Sequence, residues 1–178
     1  MLRVPSSLRM TVFSALFLSL SQGIAIADDR VFFDRIEGEW SGPGRIVAGK
    51  YKGTRFSCAL TGSSLDAKPG MSLDGRCRVG LFNQPVSAMI EAQGRSYKGR
   101  FLDGAKGNGL DVVSGNVAGD RVTVGMEREQ LRGAMVARVK PDGKLGVTVS
   151  VRVADELVPV VALDLERSVD GVATGSVR

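Results

Sequence analysis

The sequence predicts an all-β protein: a single closed antiparallel up-and-down β-barrel of about ten strands, preceded by a short N-terminal helical segment and a cleaved signal peptide. From Gly38 onward, apolar and polar residues alternate in one strand-length run after another, which indicates strands with one buried and one wet face. The joints are short and rich in turn formers, as at Asn83-Gln84-Pro85 and Pro141-Asp142-Gly143, which favours hairpins between antiparallel neighbours. A closed barrel leaves no exposed strand edge; a two-sheet sandwich is the alternative.

Residues 1–27 have the pattern of an export signal. A basic start is followed by the apolar run Thr11–Leu20 and by the small-residue cleavage site Ala25-Ile26-Ala27. The apolar run is about half the roughly 20 residues that span a bilayer, so we expect cleavage rather than a retained membrane anchor. No cysteine in the segment offers a lipid attachment site. The prediction is a soluble exported protein of the periplasm with no membrane span after cleavage.

The remainder reads as one domain with short flanking segments. Ile36 follows Phe33 by three residues and Phe32 by four, so one or two helical turns would place the three side chains on one face. The predicted organisation is a signal peptide at 1–27, a lead-in segment at 28–37, a β-barrel domain at 38–167 and a flexible tail at 168–178.

Composition excludes several classes of function. The chain has 24 basic and 19 acidic residues, and this small excess argues against a dedicated nucleic-acid binder. It contains no histidine, which excludes Ser-His and Cys-His nucleophiles and histidine-ligated zinc. The outward pair Glu127 and Glu129 is the only hint of glycosidase-type chemistry. We expect no enzymatic activity, no catalytic residues, no metal and no cofactor.

The two cysteines, Cys58 and Cys77, are predicted to form a disulfide. Both have inward parity on adjacent strands, and the turn near Ala67-Lys68 lies midway between them, so a hairpin would set them face to face. An even cysteine count in an exported chain favours a structural bond. A redox-active pair is the alternative, but neither a Cys-x-x-Cys motif nor a cationic helix start is present to lower a thiol pKa.

The predicted inward faces consist mostly of Val, Leu, Met and Ala, and a ten-stranded barrel is wide enough to leave a cavity. Such a cavity would bind a small apolar or amphipathic ligand. Its expected walls are Phe56, Leu73, Val79, Ile90, Phe101, Val124, Met135, Val149 and Leu163. The alternative is that these side chains pack to native density and leave no room.

Two features of the predicted surface have a plain and a functional interpretation. The outward basic residues either keep the exterior solvated or bind an anionic envelope component or a protein partner. They are Arg55, Arg76, Arg78, Lys98 and Arg100. Asp103, Asn108 and Asp111 could offer oxygen ligands to calcium, or belong to a plain hairpin loop with an Asn-Gly turn.

The triplet Gly38-Glu39-Trp40, on the first strand after a short lead-in, resembles the Gly-x-Trp opening of calycin-type barrels, the lipocalin, fatty-acid-binding and related folds. The resemblance implies that Trp40 closes one end of the barrel under the lead-in segment. The triplet with the two cysteines also resembles small periplasmic barrels that inhibit secreted metalloproteases, over residues 38–80. The mature sequence as a whole is similar to exported bacterial proteins with no assigned function. The hypotheses are therefore ligand binding, action through the rim loops as an inhibitor or envelope-interaction protein, and a purely structural role.

Overall fold

The structure, a computed structural model, describes residues 23–102 and 109–168. Ten antiparallel strands form a closed barrel after one helix, and each strand pairs with its neighbours in sequence. The first strand pairs with the last, which closes the barrel. The predicted up-and-down barrel is confirmed, and the sandwich alternative is wrong.

The helix α1 spans Gly23–Ile36. The strands are β1 Gly38–Ile46, β2 Arg55–Ser64, β3 Gly70–Val79, β4 Phe82–Gln93, β5 Ser96–Leu102, β6 Leu110–Ala118, β7 Arg121–Arg128, β8 Leu131–Val139, β9 Leu145–Val153 and β10 Glu156–Arg167.

Strand alternation places apolar side chains inside the barrel, as the period of two predicts. On β7, Val122, Val124 and Met126 are buried, while Arg121 is exposed and Thr123 is half-exposed. Inward glycines allow neighbouring strands to approach closely. A Cβ on Gly99, for example, would collide with the backbone of Met89 and Ile90 on β4, so the bend of the wall there requires glycine.

The turn between β3 and β4 differs from the prediction. Asn83-Gln84-Pro85 lies within β4, and the chain reverses at Gly80-Leu81 instead. Gly80 has φ of 58°, a left-handed conformation that glycine adopts without steric cost, so it sets the turn. Asn, Gln and Pro have turn-like composition, but Pro85 fits the outer face of the strand opposite Arg76.

The helix extends further toward the amino terminus than the predicted lead-in segment at 28–37. The helix begins at Gly23, before the predicted mature start at Asp28, so the lead-in is the end of a longer helix. Cleavage after Ala27 would leave the part that carries the buried Phe32, Phe33 and Ile36. Of the predicted tail, Ser168 donates its backbone N–H to the Glu39 carbonyl at 2.9 Å. Residues 169–178 lie outside the described residues.

The helix covers the barrel end where β1 begins and β10 ends. Phe32, Phe33, Ile36 and Trp40 are each no more than 3% exposed and pack in one cluster. The Trp40 indole donates its Nε1–H to the Ile36 carbonyl at 2.9 Å. This bond satisfies one of the carbonyls that every helix leaves without a partner at its carboxyl end.

Arg167, near the end of β10, completes the closed end. Its guanidinium lies 4.5 Å from the centre of the Trp40 ring. It also donates to the carbonyls of Arg35, at 2.7 Å, and Glu37. A cation at a helix carboxyl end is favoured by the partial negative charge there. The first strand, the last strand and the helix are thus joined at one point.

The disulfide prediction is confirmed. Cys58 on β2 and Cys77 on β3 are direct partners in the register and form a disulfide with a sequence separation of 19. The described residues include no free cysteine.

We expect the double variant Cys58→Ala/Cys77→Ala to lower the free energy of unfolding by about 3 kcal/mol, because the bond restricts the unfolded chain. Urea unfolding measures the difference, and wild-type protein under reducing conditions is the matched comparison. Thiol reagents should label the folded wild type only after reduction. Labelling of unreduced protein from an oxidising compartment would contradict the bond.

We expect Trp40→Ala to cost about 3–5 kcal/mol of stability, since it empties a large buried site and leaves the Ile36 carbonyl without its donor. Tyr51→Ala, at an aromatic residue that is 61% exposed, is the control and should change stability by no more than about 0.5 kcal/mol. Thermal unfolding compares the two. Equal melting temperatures would show that Trp40 does not stabilise the closed end.

Candidate functional site at the open mouth

The barrel end opposite α1 is the candidate site. The connections there join β1 to β2, β3 to β4, β5 to β6, β7 to β8 and β9 to β10. Residues 103–108 of the β5–β6 connection lie outside the described residues. We call this end the mouth, because the inward side chains near it are less buried than those beneath the helix.

The side chains predicted to line a cavity all face inward, but they lie at different depths. Ile90 is 4% exposed and Val124 is 0% exposed, and both belong to the packed core. The rest are partly exposed in the wall, or exposed at the rim in the case of Val79: Phe56, Leu73, Val79, Phe101, Met135, Val149 and Leu163. The interior wall thus combines fully buried and partly exposed apolar side chains.

Phe56 shows how a large side chain can leave the interior open. It pairs directly with Gly44 on β1, and its ring occupies the space that a side chain on Gly44 would need. The ring therefore lies against the barrel wall instead of crossing the interior. An aromatic ring over a glycine on the neighbouring strand also protects the glycine backbone from water.

Polar groups stand above this apolar wall at the mouth. Arg128 is the last residue of β7 and has the inward parity of Met126, two residues earlier. Its Nε donates to the Gly109 carbonyl at 2.7 Å, which links β7 to the β5–β6 connection. Glu156 pairs with Val153 at the start of β10 and is exposed. Arg128 was not among the residues predicted from the sequence, although the inward series Val122, Val124 and Met126 points to it.

Large apolar side chains surround the mouth. We call them the mouth rim: Tyr51, Val79, Leu81, Phe82, Leu102, Leu131, Val153 and Leu157. Leu81 is 95% exposed and Phe82 is 82% exposed, both at the β3–β4 hairpin tip. Every connection at this end has at least one rim residue in it or directly beside it. The rim was not predicted from the sequence. Alternation shows which face of a strand a residue is on, but not how near the residue lies to the mouth end of the barrel.

A set of exposed basic residues lies next to the rim on β1, β2, β3 and the β1–β2 connection. We call it the basic face: Arg45, Lys50, Lys52, Arg55, Arg76 and Arg78. Arg45 and Arg55 are direct cross-strand neighbours, an arrangement that costs free energy through like-charge repulsion. No member forms an ion pair with a carboxylate of residues 23–102 or 109–168.

The basic cluster predicted from the sequence is divided in the structure. Arg55, Arg76 and Arg78 belong to the basic face. Lys98 instead donates to the Val113 carbonyl at 2.7 Å, and Arg100 lies 3.5 Å from Asp111. A shallow depression of about 620 Å³ on the outer wall borders the basic face. It is lined by Thr61, Asp74, Gly75, Arg76, Pro85, Val86, Ser87 and Leu102.

Two predictions involve carboxylates: an acid/base pair of Glu127 and Glu129, and a calcium site at Asp103, Asn108 and Asp111. Glu129 lies in the β7–β8 turn with φ of 52°, whereas Glu127 is on β7 and pairs with Arg132 at 3.4 Å. The two therefore do not share a strand face, and that prediction is wrong. Of the calcium candidates, Asp103 and Asn108 lie outside the described residues. The part of the chain that the structure describes contains no metal-binding cluster, and none of its helices is long and apolar enough to cross a membrane.

The most perturbed titratable group in the described ranges lies at the closed end. Tyr97 is 2% exposed, its ring is 5.5 Å from that of Phe33, and its hydroxyl donates to the Asp29 carboxylate at 2.6 Å. Burial of the phenol raises its pKa above the ordinary range, and Asp29 raises the pKa further, as hydrogen-bond acceptor and as a negative charge. This contact ties the helix to β5.

We expect stability to fall as the pH rises above about 10, the ordinary tyrosine pKa, because the unfolded chain then releases a proton that folded Tyr97 retains. Tyr97→Phe should remove this contribution, which is up to about 1.4 kcal/mol per pH unit. Asp29→Asn should weaken it, since burial of the phenol remains. Urea unfolding between neutral and alkaline pH measures the slopes. An identical profile for Tyr97→Phe and wild type would contradict the assignment.

The chain matches no model of a known protein family, and none of the curated proteins compared with it is similar. The geometry of the mouth, the rim and the interior therefore carries the functional argument.

Proposed function

We propose that this chain is an exported, periplasmic and non-enzymatic barrel protein that binds a small apolar or amphipathic ligand in the mouth half of its interior. The observation that carries the proposal is the partial exposure of inward apolar side chains. Met135, Val149 and Leu163 face inward without being fully buried, whereas Val124, the direct partner of Met135, is 0% exposed. An apolar recess with one sealed end is the usual form of a small-molecule site.

The sealed floor supports a calycin-like interpretation. Gly38 and Trp40 begin the first strand, and Trp40 lies under the helix as the Gly-x-Trp resemblance implies. The closed antiparallel barrel is compatible with that group of folds. The family assignment itself remains part of the proposal, and the apolar wall supports it only at the level of architecture.

An amphipathic ligand fits better than a purely apolar one. Arg128 and Glu156 have inward parity at the mouth, above the apolar wall. A ligand with an apolar tail could place the tail among Phe101, Met135 and Val149 and its polar end beside these charged groups. Ligand sites of this type combine a mostly apolar lining with a few polar groups that set orientation.

The exported location is supported by chemistry that the fold contains. The Cys58–Cys77 disulfide is compatible with an oxidising compartment, because disulfides persist there and are rare in the reducing cytosol. The signal-like pattern of residues 1–27 points to the same compartment.

The mouth rim favours a second candidate function. Exposed Leu81 and Phe82 at a hairpin tip are typical of a surface that contacts a partner, since turn positions are usually polar. In this alternative the protein acts through its rim loops, as an envelope-interaction protein or as a protease-inhibitor-like barrel. The interior then has a packing role only.

We expect an environment-sensitive fatty-acid probe to bind the purified protein at one site. Val149→Trp should weaken binding at least about tenfold, because the indole would fill the space that the probe needs. Thr148→Trp adds the same side chain to the outer face of the same strand and is the control. Fluorescence titration measures affinity, and circular dichroism shows that each variant is folded.

Two outcomes would contradict ligand binding. One is the absence of probe binding to the folded wild type. The other is equal weakening by Val149→Trp and Thr148→Trp, which would place the probe outside the interior. Unfolding of Val149→Trp together with no wild-type binding would indicate a packed interior and favour the rim hypothesis.

A further inference from the structure

Exposed apolar side chains are concentrated at one end of this barrel. Among the side chains of residues 29–102 and 109–168, the exposed large apolar ones outside the mouth rim are Val31 on α1 and Met89 midway along β4. Single exposed apolar residues are normal, but a contiguous group marks an interaction surface. Val79, Leu81 and Phe82 form such a group, because Val79 and Phe82 are direct partners on either side of the turn.

The rim is suited to a broad partner surface. Its members sit at the ends of strands or in the connections between them, around one end of a closed barrel. A broad, flat and deformable apolar surface can contact many such tips at once. A lipid bilayer has this form, and side chains at hairpin tips can enter its interfacial layer without unpairing the strands.

The basic face adds charge of one sign beside the rim. Lys50 and Lys52 flank Tyr51 in the β1–β2 connection, and the Lys50 ammonium lies 5.5 Å from the Tyr51 ring centre. Arg45 and Arg55 stand at the adjoining strand ends. Tyrosine with nearby lysine and arginine is typical of segments that sit at a lipid–water interface. Cations there are attracted by anionic headgroups.

The opposite end has a different charge arrangement. On the helix side, four surface cations are paired with carboxylates, whereas Arg95 and Arg121 are exposed there without a carboxylate partner among the described residues. The pairs are Lys68 with Glu91, Arg138 with Asp120, Lys140 with Asp164 and Lys144 with Glu166. The hydrogen bond to Glu166 raises the pKa of Lys144. Within the described residues, the six cations of the basic face, none of them in an ion pair, therefore lie beside the exposed apolar side chains of the mouth end.

We infer that the mouth rim and the basic face together dock the open end of the barrel on the surface of an anionic lipid bilayer. A second copy of this chain is a poorer occupant, because rim-to-rim contact would bring two basic faces near each other. An acidic soluble protein would neutralise the charges but would require an apolar patch that matches the rim. The inference goes beyond ligand binding and holds whether or not the interior takes a ligand.

The test uses the folded exported protein with vesicles of phosphatidylcholine alone and of phosphatidylcholine mixed with phosphatidylglycerol. Cosedimentation should show binding to the mixed vesicles, weakened by salt, and little binding to the zwitterionic ones. Arg45→Glu/Arg55→Glu should weaken binding at least about 20-fold, since each basic residue at such a surface contributes roughly fivefold. Arg95→Glu/Arg121→Glu makes the same charge change at the helix end and should bind like wild type.

A second pair of variants tests the apolar contact. Leu81→Ser/Phe82→Ser should weaken vesicle binding at least about tenfold, because the variant no longer transfers two large apolar side chains from water into the bilayer. Met89→Ser removes an exposed apolar side chain from the outer wall and is the control. Val149→Trp, designed to block the interior, should still bind vesicles, which separates this inference from the proposed ligand site.

Depth is measured independently of affinity. Lipids with brominated acyl chains should quench the indole introduced by Leu81→Trp and leave that of Met89→Trp unquenched. Four outcomes overturn the inference: equal binding to both vesicle types, equal binding of rim and control variants, no quenching at position 81, or a concentration-dependent dimer that Leu81→Ser/Phe82→Ser abolishes. The last would assign the rim to self-association.

Discussion

The contact among Trp40, Ile36 and Arg167 is the interaction on which the rest of the structure depends. Trp40 donates to the last carbonyl of the helix, and Arg167 covers the indole while it binds the neighbouring carbonyls. One cluster thus holds the helix, the first strand and the last strand together. Because the described residues form such a seal at one end, the barrel has a floor there and a mouth at the other end. The partly exposed interior wall, the rim and the basic face are all defined by their position relative to that floor.

The two ends of the barrel differ in how their apolar side chains are covered: those at the floor are buried, and those at the mouth rim are exposed to water. At the floor, aromatic side chains fill the end of the barrel. Tyr97 carries the one buried phenol among the described residues, and its hydroxyl donates to the carboxylate of Asp29. At the mouth, apolar side chains such as Leu81 and Phe82 remain in water, which costs free energy unless another phase covers them. The proposed ligand site and the proposed bilayer contact both follow from this polarity, but they use different atoms: inward side chains in one case, tips and outer cations in the other.

Most of the fold could be predicted because alternation reports burial directly. The inward parity of β7 and β9, the barrel topology and the pairing of Cys58 with Cys77 all follow from a period of two and short joints. The β3–β4 turn could not be placed, since Asn83-Gln84-Pro85 and Gly80-Leu81 both have turn-like residues and only the strand register decides between them. The mouth rim was missed for another reason. Parity specifies a face, whereas exposure also depends on depth along the barrel, which requires the register of all ten strands.

The pairing of β1 with β10 has a consequence for how the chain folds. Every other strand pair is a local hairpin that can form as soon as its two strands are available, but Ser41 on β1 must find Glu166 on β10. The entropy of closing so long a loop is compensated only when the intervening hairpins have already shortened the effective distance. The seam is therefore expected to form last, and a chain that lacks its final strand would keep two open edges. Such a protein stays unclosed until β10 is present, so the barrel closes only after all ten strands are available.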